Sequence, residues 1–368
     1  MRTPRLYLGT MTFGWTSQTS SKVDESVATE MVRVFTNQQP AHIDAIHIDT
    51  ARIYAAGQTE PIVSHALEQH HSSSIPTSIG TLPPFSVGTK AHPSQPGGLS
   101  PAGIIAQINA SRTAMPSVTH FGEYYLHQPD PEHSLLESLQ CLHTYHEQGL
   151  ISAIGMSNYH ASEMERAFAL CHEHHLTPPT VYQGLYNPLN RMVETELLPV
   201  LRKNNCSFIA YNPLAGGLLT GKYHDHSLDV VPQGRFKDNP NYLPRFYTDS
   251  NFEAVSRIQE ACNETQIGMV EATYRWLMYH SALTKNDGIL IGASSVAQLK
   301  ENLTVLCSSN HHDEQELPES VLRAFTDGWD ITNRAGVFPY WRSYSQDMPN
   351  REDRDQGASY DAIKNPTR

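Results

Sequence analysis

The chain has 368 residues, of which 39% are hydrophobic and 17% charged, and its formal net charge is -12. The apolar share suits a large core and excludes a disordered chain. No apolar run approaches the roughly 20 residues of a membrane-crossing helix, and the acidic balance lacks the basic surplus of a nucleic-acid binder.

Five cysteines, Cys141, Cys171, Cys206, Cys262 and Cys307, are widely spaced without a C-x-x-C pair. Met1 leads into a strand-like segment with no apolar signal core. Both features predict a cytoplasmic protein with reduced thiols. The 20 histidines fall mostly in polar stretches and show no metal-ligand spacing, so no metal is expected.

Along the chain, short apolar runs rich in β-branched and aromatic residues alternate with longer amphipathic segments. Residues 6–13 predict a strand, followed by a helix over 27–36. Residues 46–50 and 61–70 form the next such pair, and an inserted Ser/Thr/Pro-rich loop follows over 72–84. Then come 85–90 with 101–114, and 124–127 with 134–148. In the latter helix Leu135, Leu139 and Leu142 share a face, Asp130-Pro131 reads as N-cap and first-turn proline, and Gly149 supplies the left-handed stop. The pattern continues with 151–157 and 162–174, then 180–183 and 195–204. A seventh strand over 207–212 precedes a long ordered loop at 223–250, helices over 252–265 and 269–280, and an eighth strand at 289–292.

Near-continuous apolar strands suit a parallel sheet buried on both faces. Eight strands joined by right-handed crossovers predict an α/β fold, a (β/α)8 TIM barrel with long loops over its C-terminal face. An open doubly wound sheet is the competing arrangement, but no G-x-G-x-x-G follows the first strand. The barrel is expected over 1–342 and a polar, mobile tail over 343–368.

In a barrel the chemistry gathers at the C-terminal strand ends. There the second strand offers Asp49 and, just beyond it, Tyr54. The third offers Lys90 and the fourth His127. An ammonium favours phenolate and brings a tyrosine closer to acid–base work at neutral pH. Asp49 would hold Lys90 charged, His127 would donate a hydrogen bond to a carbonyl oxygen, and Tyr54 would protonate the forming alkoxide.

Several ordered motifs carry a family resemblance. They are 49–60 (DTARIYAAGQTE), Gly88-Thr89-Lys90, 125–130 (YLHQPD), 155–158 (GMSN) and 210–223 (AYNPLAGGLLTGKY). Up to about residue 342 the chain resembles the aldo-keto reductases. With 292–300 (GASSVAQLK) it looks most like the aflatoxin-aldehyde/succinic-semialdehyde reductase branch. The resemblance implies a catalytic tetrad of Asp49, Tyr54, Lys90 and His127, and NADPH as cofactor. Ser157, Asn158 and Gln183 would bind the nicotinamide carboxamide, with donors and acceptors suited to it, and Tyr211 would stack on the ring. Asn212, Pro213, Leu214, Ala215, Gly216 and Gly217 would wrap the pyrophosphate with Leu218, Leu219, Thr220, Gly221 and Lys222. The two adjacent glycines would permit close backbone approach. Gly292, Ser294, Ser295, Gln298 and Asn302 would hold the adenosine end, with Arg235 helping at its phosphate.

Tyr242, Arg245 and Arg342 are expected over the barrel mouth beside His127, where the arginines would pair with a substrate carboxylate. The branch implies a small-molecule carbonyl substrate, a homodimer, and no nucleic-acid or membrane partner. The insertion at 72–84, the extension past 342, and Arg52 and Ile53 between Asp49 and Tyr54 depart from the family pattern. Two other functions share the barrel: a cofactor-binding regulatory subunit like the potassium-channel β-subunits, and an aryl-alcohol or sugar dehydrogenase.

Overall fold

A computed structural model describes residues 3–16, 19, 22–40, 43–73, 83–223, 231, 234–237, 239, 242–307, 316–355 and 357. The eight apolar runs become β1 (Arg5–Gly9), β2 (Ile46–Asp49), β3 (Phe85–Ala91), β4 (Phe121–Leu126), β5 (Ile151–Ser157), β6 (Val181–Leu185), β7 (Ser207–Tyr211) and β8 (Gly288–Gly292). All are parallel, and β8 closes on β1 from Arg5↔Gly288 to Gly9↔Gly292. The fold is the expected (β/α)8 barrel. Alternate residues point inward, so Tyr7, Tyr125, Val181 and Ile209 fill the interior with Ala153 and Leu290 packed on them. The Tyr125 ring fits because its neighbour across the ladder is Gly155, where a Cβ would stand 2.3 Å from the ring.

The outer layer contains α1 (Glu25–Gln38), α2 (Thr59–Ser73), α3 (Pro101–Ala114), α4 (Leu135–Glu147), α5 (Ala161–Glu173), α6 (Val193–Glu196), α7 (Leu198–Lys203), α8 (Leu243–Phe246), α9 (Asp249–Glu264), α10 (Met269–Arg275), α11 (Val296–Cys307) and α12 (Glu319–Ala335). Among the described residues no helix is long and apolar enough to cross a membrane.

Several expectations need correction. The helix expected over 195–204 is two short ones, because Pro199 in the first turn of α7 has no N–H to continue the ladder. The helix over 269–280 ends at Arg275 and widens into a π turn, Trp276–His280. β4 starts three residues early, since Glu123 interrupts the apolar run yet pairs with Gly88 and Ala153. Helix α2 extends to Ser73; the rest of the 72–84 insertion lies outside the described residues except 83–84.

Asp130 does not cap α4. Its carboxylate accepts from Leu99 N at 2.7 Å and Glu132 N at 2.8 Å, and pairs with His133. The start of α4 is instead met from the far end of the chain, where Asp347 Oδ1 accepts from Leu135 N at 3.4 Å and the carboxylate pairs with Arg166. The stretch 343–355 is therefore not a mobile tail over its described residues. Tyr344, Ser345 and Met348 are buried, and Ser345 N donates to the buried Glu163 at 2.8 Å. Residues 358–368 lie outside the described residues.

Candidate active site

Asp49 is the last residue of β2, Lys90 the sixth of β3, and His127 follows β4, so strand geometry alone brings them to one end of the barrel. Lys90 is fully buried. Its Nζ donates to Asp49 Oδ1 at 2.7 Å, Asp49 Oδ2 at 2.8 Å and Thr50 O at 2.7 Å, which gives each ammonium proton an acceptor. Burial pushes the lysine down from its ordinary value, while the Asp49 carboxylate pulls the other way. The same Asp49 Oδ1 accepts from Gln183 Nε2 at 2.8 Å.

Tyr54 enters from a turn beyond β2, and Lys90 Nζ lies 5.3 Å from its ring centroid. The turn continues through Ala55 (φ 47°), Ala56 (φ 52°) and Gly57 (φ 90°), three left-handed residues in succession. Such a run costs about 1–2 kcal/mol for each non-glycine residue and needs outside support. Arg52 supplies it: its guanidinium bonds Gly57 O at 3.2 Å and forms an ion pair with Glu60, filling the space a Gly57 Cβ would need. Glu60 also accepts from Thr89 Oγ1 at 2.8 Å and Ser111 Oγ at 2.6 Å. The departure at Arg52 thus closes the tyrosine turn.

The His127 ring sits edge-on to Tyr54 at 5.8 Å and to His92 at 5.0 Å. Burial first, then His92 and Lys90, push its pKa well below the usual imidazole range. It is therefore neutral at physiological pH and has one N–H to donate.

Above this floor opens a cleft. Ser157, Asn158, Gln183 and Tyr211 line one side. Asn158 (φ 63°) donates to His127 O at 2.8 Å and to Ser157 Oγ at 2.9 Å, and accepts from Tyr211 OH at 2.7 Å. Asn212, Pro213, Leu214, Gly216, Gly217, Thr220 and Lys222 line the next part, with Gly217 at φ 111°, open only to glycine. The side chains of Ala215, Leu218 and Leu219 enter the hydrophobic core, which leaves only their backbone for the cleft side of this segment. Gly221 is the left-handed residue ending this turn (φ 72°) and Ser295 the N-terminal cap of α11, donating nothing to the cleft lining.

Gly292, Ser294, Gln298 and Asn302 lie on the cleft's far side, where Gln298 Oε1 accepts from both Ser294 N and Ser294 Oγ. Arg235 is held between Trp15 (4.9 Å) and Tyr242 (5.2 Å). Arg245 and Arg342 both lie over the Phe338 ring, at 4.7 and 5.2 Å, and both line the cleft with Tyr242. Sequence reasoning missed Met11, Thr12, Tyr274 and Glu301 among the lining residues. Met11 and Thr12 lie just beyond β1, which ends at Gly9 and does not run on to Phe13 as expected, so their place past a strand end was hidden inside the predicted strand.

Comparison with known proteins decides the family. The model of the aldo/keto reductase family matches residues 5–317. The chain belongs to the aldo/keto reductase family. It is 35% identical over 341 residues to "Aflatoxin B1 aldehyde reductase member 2" of Rattus norvegicus, covering 89% of this chain and 85% of the relative. It is 33% identical over 340 residues to "Aldo-keto reductase family 7 member A3" of Homo sapiens, covering 89% and 94%. With "Oxidoreductase sirO" of Leptosphaeria maculans it shares 29% over 332 residues. As an aldo/keto reductase the protein is an oxidoreductase, and the family uses a nicotinamide cofactor.

Proposed function

We propose that the protein is an NADPH-dependent aldehyde reductase in which Tyr54 is the proton donor. The observation that carries this reading is the buried Asp49–Lys90 pair beneath Tyr54 and His127, at the floor of a cleft lined with amides and hydroxyls. Relatives named for an aldehyde substrate support it. The nicotinamide supplies the hydride when bound. Tyr54 OH gives its proton to the forming alkoxide, and the Lys90 ammonium near its ring lowers the cost of the phenolate left behind. Neutral His127 donates to the carbonyl oxygen, and Asp49 holds Lys90 in place.

The donor set fits the cofactor. Ser157, Asn158 and Gln183 present groups that suit a carboxamide. Gly216 and Gly217 leave the backbone bare for a pyrophosphate. Arg235, with Ser294 close to the start of α11, suits a 2'-phosphate. One charge-assisted hydrogen bond contributes roughly 1.5–3 kcal/mol, so NADPH should bind about tenfold or more tighter than NADH, with Arg235→Ala narrowing the gap. Isothermal titration of both cofactors at fixed ionic strength checks this, and equal affinities would contradict the assignment.

Arg245 and Arg342 favour an aldehyde that carries a carboxylate several bonds away. Arg342→Ala should raise the KM for succinic semialdehyde about tenfold and change that for an uncharged nitrobenzaldehyde much less. Equal changes for both would mean that Arg342 supports the fold and does not read the acid.

A further inference from the structure

Beneath the Asp49–Lys90 pair lies a carboxylate for which the reaction above has no use. Strand register places Asp49, Gly88 and Glu123 side by side in one row across β2, β3 and β4. The middle position has no side chain, and Glu123 Oε2 lies 2.9 Å from where a Gly88 Cβ would be. The Glu123 carboxylate therefore leans over β3 on the inner side of the barrel, towards the Asp49 side of the row. Lys90 is two residues beyond Gly88 and shares its inward face.

Other strands face Glu123 with polar groups. From β1, Tyr7 OH donates to Glu123 Oε1 at 3.3 Å, and Arg5 lies further out at the barrel's N-terminal end. From β2, His47 Nδ1 is 3.8 Å from Glu123 Oε1, and Asp49 lies beyond it. β5 contributes Ala153, while β6, β7 and β8 contribute Val181, Ile209 and Leu290 to the interior cluster.

We propose that Glu123 is a positioning residue that keeps an exchangeable proton under the Asp49–Lys90 pair and sets how readily the pair and Tyr54 lose theirs. Of the surrounding groups, Tyr7 is pushed well above its ordinary range and His47 down to about 4, both chiefly by burial, so neither changes charge near neutrality. Glu123 is pushed up to about 7, by burial first and then by Asp49. Below that pH it is neutral; above it an added negative charge opposes loss of a proton from Lys90 or Tyr54.

The direction of the effect rests on Tyr54 being the proton donor. In Glu123→Gln the added charge never forms, so the alkaline limb of the kcat–pH profile should move to lower pH by on the order of one unit. Activity at a fixed pH on that limb then drops about tenfold, while the two profiles coincide below about pH 6. Glu123→Asp should return part of the shift. A limb that stays in place in the folded Gln variant would overturn the proposal. A second measurement needs no Glu123 variant, cofactor or substrate. Among the described residues Glu163 is the other buried glutamate pushed up to about 7, so the Glu163→Gln protein should keep one infrared band of a protonated carboxyl that disappears near neutrality. Its absence overturns the proposal even if the Gln variant fails to fold. Persistence of that band while Tyr54→Phe turns over normally would refute the tyrosine's role and leave the proton on Glu123 standing.

Discussion

Tyr54→Phe is expected to lose about 100-fold to 10,000-fold in aldehyde turnover, the usual share of general acid catalysis, while binding cofactor as the wild type does. The substitution removes one oxygen and little else. The phenyl ring keeps its edge contact with His127 and its place near Lys90 Nζ. The left-handed backbone after it is held by Arg52 through Gly57 O and Glu60, none of which involves the phenol oxygen. Stability should therefore change little, so a loss of rate reports the missing proton. Steady-state turnover beside a direct cofactor titration separates the two effects. Turnover near that of the wild type would refute Tyr54 as the donor.

Asp49→Asn should reduce the free energy of unfolding by about 3–5 kcal/mol, the usual cost of removing one partner from a buried ion pair. The exposed fraction of the two side chains is 0% for Lys90 and 3% for Asp49. An asparagine offers one oxygen where the ammonium now meets two, and in either orientation its amide nitrogen turns donors towards the lysine, and towards Gln183 Nε2 as well if it takes the Oδ1 place. The buried charge is then left short of acceptors. Because the penalty belongs to the orphaned charge, the double variant Asp49→Asn/Lys90→Met should regain most of the loss in urea unfolding. A single-variant change under about 1 kcal/mol would mean the pair is solvated or that Lys90 is already neutral.

The barrel was legible because each strand is buried on both faces and so appears as an apolar run, whichever helix covers it. The convergence of Asp49, Tyr54, Lys90 and His127 was legible for the same reason, since position at a strand end fixes position in a parallel barrel. What escaped depends on pairing across long stretches of chain. Glu123 looks like the edge of a strand until register sets it beside Gly88. Asp130-Pro131 has the composition of a helix cap, but the carboxylate finds Leu99 N in another loop. The stretch 343–355 carries no periodic signal because single contacts hold it: Ser345 to Glu163 and Asp347 to Arg166 and Leu135, each across more than 180 residues or close to it. Helix α12 did have a readable signal, with Val321, Phe325, Gly328 and Thr332 on its buried face.

On the proposed reading this site passes hydride from nicotinamide to an aldehyde, and Tyr54 closes the step. A single-turnover experiment tests it most directly: the protein mixed with a stoichiometric amount of NADPH deuterated at the transferring position, then with an excess of succinic semialdehyde. Nicotinamide absorbance should fall as alcohol appears, one for one, with deuterium on the former carbonyl carbon, and Tyr54→Phe should slow this step. Tight NADPH binding with no loss of absorbance for this aldehyde or for nitrobenzaldehyde would contradict it and identify a cofactor-binding regulatory subunit instead.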